Sequence, residues 1–147
     1  MPDPDLEDVL FLVLTNRDIG ADYPQTRVRR EVFFPHSLFD QYLFAADALI
    51  LHKMSTAPQE IGILSSTAYQ CLGAGCPILA PRLSDFVWPF KKEVLKYADR
   101  EELKELLLDV FKGGKRCRES QKAAEEFVEK HSPERVAAQF LRLFESL

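Results

Sequence analysis

An α/β fold, with a parallel sheet wound by helices on both sides, is predicted by three features of this 147-residue chain. Short apolar runs that suit buried strands alternate with segments of helical periodicity. Glycines and polar residues separate these segments at the lengths that strand–helix connections use. Helical patterns alone occupy the last third of the chain. We therefore expect a doubly wound parallel sheet followed by C-terminal helices, in a single domain over residues 1–147.

The first half of the chain contains three predicted strands and one helix. Residues 9–14 (V-L-F-L-V-L) form a continuous apolar run, typical of a strand that is buried on both faces of a parallel sheet. Residues 17–30 are expected to be a polar connection, and residues 32–34 the second strand. Ser37 is predicted to cap a short helix, after which residues 48–51 form the third strand.

A short helix is predicted in the middle of the chain, within G-I-L-S-S-T-A-Y-Q-C-L-G-A-G-C-P-I-L-A-P. We expect it to start at Ser66 or Thr67, to stop at Gly73 or Gly75, and to run into a core strand. Free backbone N–H groups at such a helix start attract phosphate, assisted by the helix dipole and by nearby hydroxyls. The segment therefore predicts a nucleotide diphosphate site. The hydroxyls concerned are those of Ser65, Ser66 and Thr67.

The rest of the chain completes the sheet and adds three helices. Residues 77–79 and 93–97 are the last two predicted strands. A capping box, a Gly-Gly pair and a Ser-Pro pair then delimit the helices. These signals are Asp99 with Glu102, Gly113-Gly114, and Ser132-Pro133. The apolar face predicted for the terminal helix consists of Val136, Ala137, Phe140, Leu141 and Phe144.

Three aromatic residues lie in the loop between the last two predicted strands: Phe86, Trp88 and Phe90. We expect them to form a cluster that packs in the core. If they are exposed instead, the loop marks an interface with a partner.

Composition limits the kinds of partner. A formal net charge of -4 provides no electrostatic footprint for nucleic acid. The three cysteines, at 71, 76 and 117, lack the paired spacing of a zinc site and indicate reduced thiols. The longest apolar runs are too short to cross a membrane. We therefore expect a cytoplasmic protein with no transmembrane segment, no nucleic-acid partner and no metal.

Four stretches of the chain resemble the C-terminal, donor-binding domain of glycosyltransferases with the GT-B fold, of the group 1 type. They are residues 34–52 (F-P-H-S-L-F-D-Q-Y-L-F-A-A-D-A-L-I-L-H), 68–80 (A-Y-Q-C-L-G-A-G-C-P-I-L-A), 93–111 and 131–140. The resemblance implies one of two facing Rossmann-like domains, binding a nucleotide-diphosphate sugar for hexosyl transfer. Because only eight residues precede position 9, we expect the first βα unit to be missing, and the acceptor domain to be on another chain.

The resemblance carries over to individual residues only in part. In retaining members of that family, one glutamate before this helix faces the donor sugar and a second holds the ribose hydroxyls. Gly62 and Gln70 stand at those positions here. Gln70 can still hydrogen-bond a ribose hydroxyl through its amide, and Glu60 is the acid nearest to the first position. Arg17 and Lys53 are the basic candidates for gripping the diphosphate.

Other interpretations of the same residues remain open. Thr67 and Gln70 also form a capping box, which would make the pair structural. His52 follows a predicted strand, where it can serve as an acid or base or be a simple loop residue. A response-regulator-like domain would need an acidic cluster after the first strand, and Asn16 and Asp18 supply that poorly.

The alternative function is a non-catalytic Rossmann-like remnant that acts as a nucleotide-binding or protein-interaction subunit. The absence of both family glutamates favours it. The sequence identifies no catalytic residue, so the chain alone is expected to be inactive. Its expected partners are a nucleotide sugar and either an acceptor-domain subunit or a second copy of itself.

Overall fold

The protein is described by a computed structural model that covers residues 4–6, 9–14, 28–31, 36–52 and 65–146. The chain divides into two compact units, Met1–Tyr42 and Leu43–Leu147. Arg17, Lys53, Glu60 and Gly62, together with the strand predicted at residues 32–34, lie outside the described residues. The described part is α/β, which confirms the predicted class.

The first unit contains a two-stranded parallel sheet. After a 3-10 helix at Pro4–Leu6, strand β1 (Phe11–Leu14) pairs with strand β2 (Val28–Glu31), with Phe11 opposite Val28. The strand predicted at residues 9–14 is thus confirmed in part. Its side chains at Phe11, Leu12 and Val13 are only half-buried, so burial on both faces was wrongly predicted.

Strand β2 lies partly inside the segment that was predicted to be a polar connection. That prediction is wrong for residues 28–30, which belong to β2. Parallel pairing uses main-chain N–H and C=O groups, which arginine and glutamate offer as readily as apolar residues do. Side-chain polarity is therefore a weak guide to a short strand of this kind.

Helix α1 spans His36–Ala45 and begins one residue before the predicted cap. Ser37 therefore lies in the first turn. A cap residue keeps an extended backbone, whereas a first-turn residue already has helical dihedral angles. The prediction that Ser37 caps this helix is wrong for that reason.

The second unit is built on a three-stranded parallel sheet. Its strands are β3 (Leu49–Ile50), β4 (Ile78–Pro81) and β5 (Leu95–Tyr97), in the order β3-β4-β5. Leu49 lies opposite Ile78, and Leu79 lies opposite Leu95. All four residues of the central strand β4 are buried, as its unbroken apolar sequence predicts.

Four helices accompany this sheet: α2 (Ser66–Gly73), α3 (Arg100–Phe111), α4 (Lys115–Lys130) and α5 (Pro133–Glu145). Helix α4 packs against α2, α3 and β5. The fully buried ring of Phe90 makes edge-to-face contacts with Tyr69 at 5.2 Å and Phe127 at 5.4 Å between centroids. Because these rings come from α2, α4 and the loop before β5, they tie three segments into one core.

The predicted helix signals are found at the predicted ends. The Asp99 carboxylate accepts a hydrogen bond from the Glu102 N–H at 2.9 Å and caps α3. Ser132 caps α5, and Pro133 is the first residue of that helix. Helix α2 starts at Ser66 and stops at Gly73. Among the glycines that the structure describes, Gly75 and Gly113 have positive φ, at 77° and 57°, just beyond α2 and α3.

The three aromatic side chains in the loop between β4 and β5 differ in burial. Phe90 is buried, Phe86 is half-buried, and Trp88 is 71% exposed. The 3-10 helix Asp85–Val87 explains the split, because successive residues of so tight a turn point in different directions. The expectation of a cluster packed in the core is therefore confirmed for Phe90 and wrong for Trp88.

The apolar face of α5 is present but uncovered. The helix has no buried residue, and its large apolar side chains are more than half exposed. These side chains are Phe140, Leu141, Leu143 and Phe144. No described helix is long and apolar enough to cross a bilayer.

Candidate functional site

The carboxyl ends of β3, β4 and β5 surround a cavity of about 550 Å³. His52 follows β3, Arg82 follows β4, and Tyr97 is the last residue of β5. The other described residues that line it are Pro81, Leu83, Ala98, Asp99, Arg100 and Leu103. Parallel α/β sheets bind ligands outside the carboxyl ends of their strands. The cavity therefore occupies the position where a ligand is expected in this architecture.

A hydrogen-bonded ring pair joins the two outer strands of the sheet. His52 Nδ1 lies 2.8 Å from the Tyr97 hydroxyl, and the two rings are parallel within 8° at 6.3 Å between centroids. Tyr97 is buried, and burial raises the pKa of its hydroxyl, so this group remains protonated at neutral pH. The pair spans the end of β4 and presents both donor and acceptor capacity to the cavity.

A second set of contacts holds the side of the cavity where β4, β5 and α3 meet. The Arg82 N–H donates to the Tyr97 carbonyl at 2.7 Å, and Arg82 Nη2 donates to both carboxylate oxygens of Glu102 at 3.0 Å. Glu102 also accepts from the Ala98 N–H at 2.7 Å. An exposed ion pair alone contributes little to the free energy of folding. Here the Arg82–Glu102 pair acts together with main-chain hydrogen bonds made by the same two residues. The rim that joins β4, β5 and α3 is therefore held in one geometry.

The described lining of the cavity is mainly carbon. Arg82 forms an ion pair with Glu102, and the lining also contains one carboxylate, Asp99, and one further cation, Arg100. Among the described residues of this rim, the charges of Arg82 and Arg100 are matched by those of Glu102 and Asp99. Such a cavity suits a ligand with an apolar body and hydrogen-bonding edges better than it suits a bare anion.

The predicted phosphate site lies at the start of α2. Ser65 has an extended backbone, and its hydroxyl accepts a hydrogen bond from the Ala68 N–H at 3.3 Å, so Ser65 is the cap of this helix. The alternative in which Thr67 and Gln70 form the capping box is therefore wrong. The first N–H groups of a helix have no partner within it. Ser66, Thr67 and Gln70 are exposed, so their side chains are accessible to a ligand.

Topology places both features on one edge of the sheet. Helix α2 follows β3 and precedes the parallel strand β4, so it starts beyond the carboxyl end of β3. The cavity lies beyond the carboxyl ends of the same strands. Ser65, Ser66, Thr67 and Gln70 do not themselves line the cavity. Lys53, Arg17 and Glu60, which the sequence also proposed, are outside the described residues.

Sequence reasoning missed most of the cavity. It considered His52, but it overlooked Arg82, Tyr97 and Arg100. Their one signal was position, because each lies at or shortly after the end of a predicted strand. Comparison with protein-family models, curated proteins and solved structures found no match to this chain. Functional inference therefore draws on the residues themselves.

The cysteines have the properties of structural residues. All three are free thiols. Burial raises the pKa of Cys71 to about 12 and that of Cys76 to about 11, and burial also raises the pKa of Cys117. A thiol with such a pKa holds its proton at neutral pH and is a poor nucleophile. Within the described ranges, no cluster of three or more His, Cys, Asp or Glu could hold a metal ion.

Proposed function

We propose that this chain is the donor-binding domain of a GT-B glycosyltransferase, one Rossmann-like half of a doubly wound architecture, and that it binds a nucleotide-diphosphate sugar. The family and the donor class come from the resemblance of four stretches described above. The parallel sheet of the second unit agrees with the fold that this resemblance implies. The acceptor domain would be supplied by another chain.

One observation carries the proposal. Both a capped helix start with exposed hydroxyls and His52, which lines a ligand-sized cavity, follow strand β3 in the chain. The cap fixes the first turn of α2 and leaves the N–H groups of Ser66 and Thr67 to other partners. Those groups, together with the helix dipole, favour a diphosphate.

The remaining roles follow the geometry of α2 and the sequence resemblance. The hydroxyls of Ser65, Ser66 and Thr67 would contact the diphosphate. Gln70, one turn further along the helix, would hydrogen-bond the ribose. Lys53 and Arg17 would add charge, and Glu60 would face the sugar. The proposal assigns binding to these residues and leaves catalysis to the assembled two-domain enzyme.

Calorimetric titration with UDP, GDP, ADP and their sugars tests this function. Saturable binding is expected for at least one of them. The double variant Ser66→Ala, Thr67→Ala should weaken it about tenfold or more, because two hydrogen bonds to charged oxygens are lost. Ser146→Ala, at the far end of α5, is the control and should bind as the parent chain does. Absence of saturable binding, or binding indifferent to the double variant, would refute the proposal.

A second candidate, a protein-interaction subunit, is favoured by the uncovered face of α5. We propose a second copy of the chain as its partner, with the two α5 helices antiparallel about Phe140. Val136 of one copy then faces Phe144 of the other, so a small side chain meets a large one. This self-complementarity is what a two-fold helix pair requires.

Light scattering coupled to size-exclusion chromatography tests the second candidate. The parent chain should form a dimer, and Phe140→Ser should shift it to monomer by removing the central apolar contact. Leu83→Ser removes an exposed leucine outside α5 and should leave the dimer intact. A monomer at every protein concentration would exclude this candidate.

A further inference from the structure

We propose that an apolar ridge on the loop between β4 and β5 binds the surface of an anionic lipid bilayer. The ridge consists of Leu83, Phe86, Trp88 and Pro89. Leu83 is 73% exposed and Trp88 is 71% exposed; Pro89 is exposed and Phe86 is half-buried. Adjacent apolar side chains with such exposure mark a contact surface. This inference goes beyond nucleotide binding and does not depend on it.

The backbone of the loop brings these side chains together. Three main-chain hydrogen bonds between residues three apart close three consecutive turns, at 3.0, 3.3 and 3.1 Å. They join Pro81 to Ser84, Ser84 to Val87, and Val87 to Phe90. All four of these residues are buried. Because a three-residue repeat stacks side chains three positions apart, residues 83, 86 and 89 form a second column, and Trp88 adjoins it.

Hydrogen bonds hold both ends of the loop. At the start, the main chain of Arg82 is bound to β5, as described above. At the end, Lys96 Nζ donates to the Phe90 carbonyl at 2.6 Å, and the Lys91 N–H donates to the Glu93 carboxylate at 2.6 Å. The ridge is therefore held in position before it meets a partner, which lowers the entropic cost of binding.

Basic residues flank the ridge. Lys91 and Lys92 follow it directly, and both are exposed. Residues 82–92 contain three basic residues and one acid, whereas the whole chain has a net charge of -4. The charge of Arg82 is matched by that of Glu102, so the two lysines supply the attraction. Lysines at this distance from inserted apolar side chains are attracted to the negative surface of an anionic leaflet.

The size and composition of the ridge favour a lipid surface over a protein. A stable protein interface uses about 20–30 residues on each side, far more than this loop offers. A bilayer surface requires only a few inserted side chains, supplemented by electrostatic attraction. Tryptophan is enriched at the membrane–water interface, because its ring is apolar and its N–H is polar. Trp88 with two lysines after it therefore matches an anionic headgroup layer.

Trp88 is the only tryptophan in the chain, so its fluorescence reports on the ridge directly. Vesicles of phosphatidylcholine mixed in equal parts with phosphatidylserine should shift its emission to shorter wavelength, since the indole leaves water. Phospholipids with brominated acyl chains should quench that emission. Vesicles of phosphatidylcholine alone should bind at least about tenfold more weakly, and added salt should weaken binding to the anionic vesicles.

Two pairs of lysine substitutions test the charge. Lys91→Gln with Lys92→Gln should weaken binding to the anionic vesicles about 25-fold, at about fivefold for each charge. The matched control is Lys112→Gln with Lys115→Gln, which removes the same charge from exposed positions at the turn between α3 and α4. Because attraction to the bilayer falls off within a Debye length, the control should change binding less than about twofold.

A leucine substitution tests the apolar contact and keeps Trp88 as the reporter. Leu83→Ser should weaken vesicle binding about tenfold, because a leucine side chain no longer leaves water on binding. Leu10→Ser, at an exposed leucine of the first unit, is the control and should change binding less than about twofold. Both leucines are more than half exposed, so neither substitution opens a cavity in the core.

Unchanged Trp88 emission in the presence of anionic vesicles would overturn the proposal. So would co-sedimentation with vesicles that leaves the emission unchanged, because the contact would then lie elsewhere. Equal weakening by the ridge variants and their controls would also overturn it. An emission shift that follows protein concentration, with no response to vesicles, would make the ridge a contact between copies of the chain. None of these outcomes affects the nucleotide titrations, so the proposed function stands or fails separately.

Discussion

The buried thiol of Cys71 should make the stability of this protein depend on pH. Cys71 lies on the inner face of α2 and is almost completely buried. Burial, with a smaller contribution from neighbouring Cys76, raises the pKa of Cys71 from 9.0 to about 12. The protonated thiol is therefore part of the folded state, whereas the unfolded chain exposes the same thiol to water.

The stability contribution of Cys71 should depend on pH in a defined direction. Below pH 9.0, the ordinary thiol pKa, the folded and unfolded states both hold the proton, and the contribution is fully present. Above it the unfolded thiol ionises first, so stability falls by up to about 1.4 kcal/mol per pH unit until the folded thiol titrates. Urea unfolding at about pH 8 and about pH 10 should show a smaller decrease for Cys71→Ala than for the parent chain.

Ser146→Ala serves as the control for this comparison, because it removes no titrating group, and it should follow the parent chain at both values of pH. Equal decreases for the parent chain and Cys71→Ala would mean that Cys71 does not ionise differently in the two states.

The turn between α3 and α4 shows how one element depends on another. The start of α4 is capped from outside, because Asp109 of α3 accepts a hydrogen bond from the Cys117 N–H at 2.8 Å. Gly114 lies against that carboxylate, and a Cβ added at Gly114 would overlap it. The Gly-Gly pair predicted from sequence as a helix stop therefore has two different functions. Gly113 supplies positive φ, and Gly114 supplies space for Asp109.

Gly114→Ala should lower the free energy of unfolding by about 1–3 kcal/mol, since Asp109 must move and release the Cys117 N–H. Gly73→Ala is the matched control, because a Cβ at Gly73 meets nothing within 4 Å and the residue lies in a helix. That change should be neutral or stabilising by up to about 1 kcal/mol. Chemical denaturation of both variants provides the comparison. Gly114→Ala at parental stability would show that the Asp109 contact is dispensable.

At the scale of the whole molecule, the most strongly buried of the described residues lie in the middle of the second unit. Strand β4 is buried along its length, and α4 contacts elements on several sides, whereas α5 buries no residue. Stability within a protein follows such differences in burial, because poorly packed elements open without unfolding the core.

Native-state hydrogen exchange should reveal this gradient. Amides of β4 and of the Cys117-to-Ala124 face of α4 should exchange slowly, and those of α5 should exchange fastest among the helices of the second unit. Repeating the measurement at several protein concentrations gives the control, because a dimer formed through α5 would slow its exchange as concentration rises. Equal protection of α5 and β4 in a monomer would contradict the burial seen here.

Local signals in the sequence predicted the elements whose ends are set by neighbouring residues. Asp99 and Ser132 cap helices within three residues of themselves, and the apolar sequence of β4 is sufficient to require burial on both faces. Local signals failed at Ser37 and at β2. Ser37 lies inside the first turn of α1, and β2 pairs with β1 although most of its residues are polar. Sequence reasoning also mistook Thr67 for a possible cap, because two adjacent hydroxyl residues precede it and sequence does not distinguish among them.

The cavity depends on contacts that no local pattern contains. His52 and Tyr97 are 45 residues apart, and Arg82 and Glu102 are 20 apart. They meet because three parallel strands end at one edge, in a register established by pairing of the main chain. The exposed hydroxyls at the start of α2 could be predicted from the sequence, since a helix start and its cap are determined by residues within a single turn. The cavity arises only from tertiary structure, because its shape depends on how separate strands and loops are brought together.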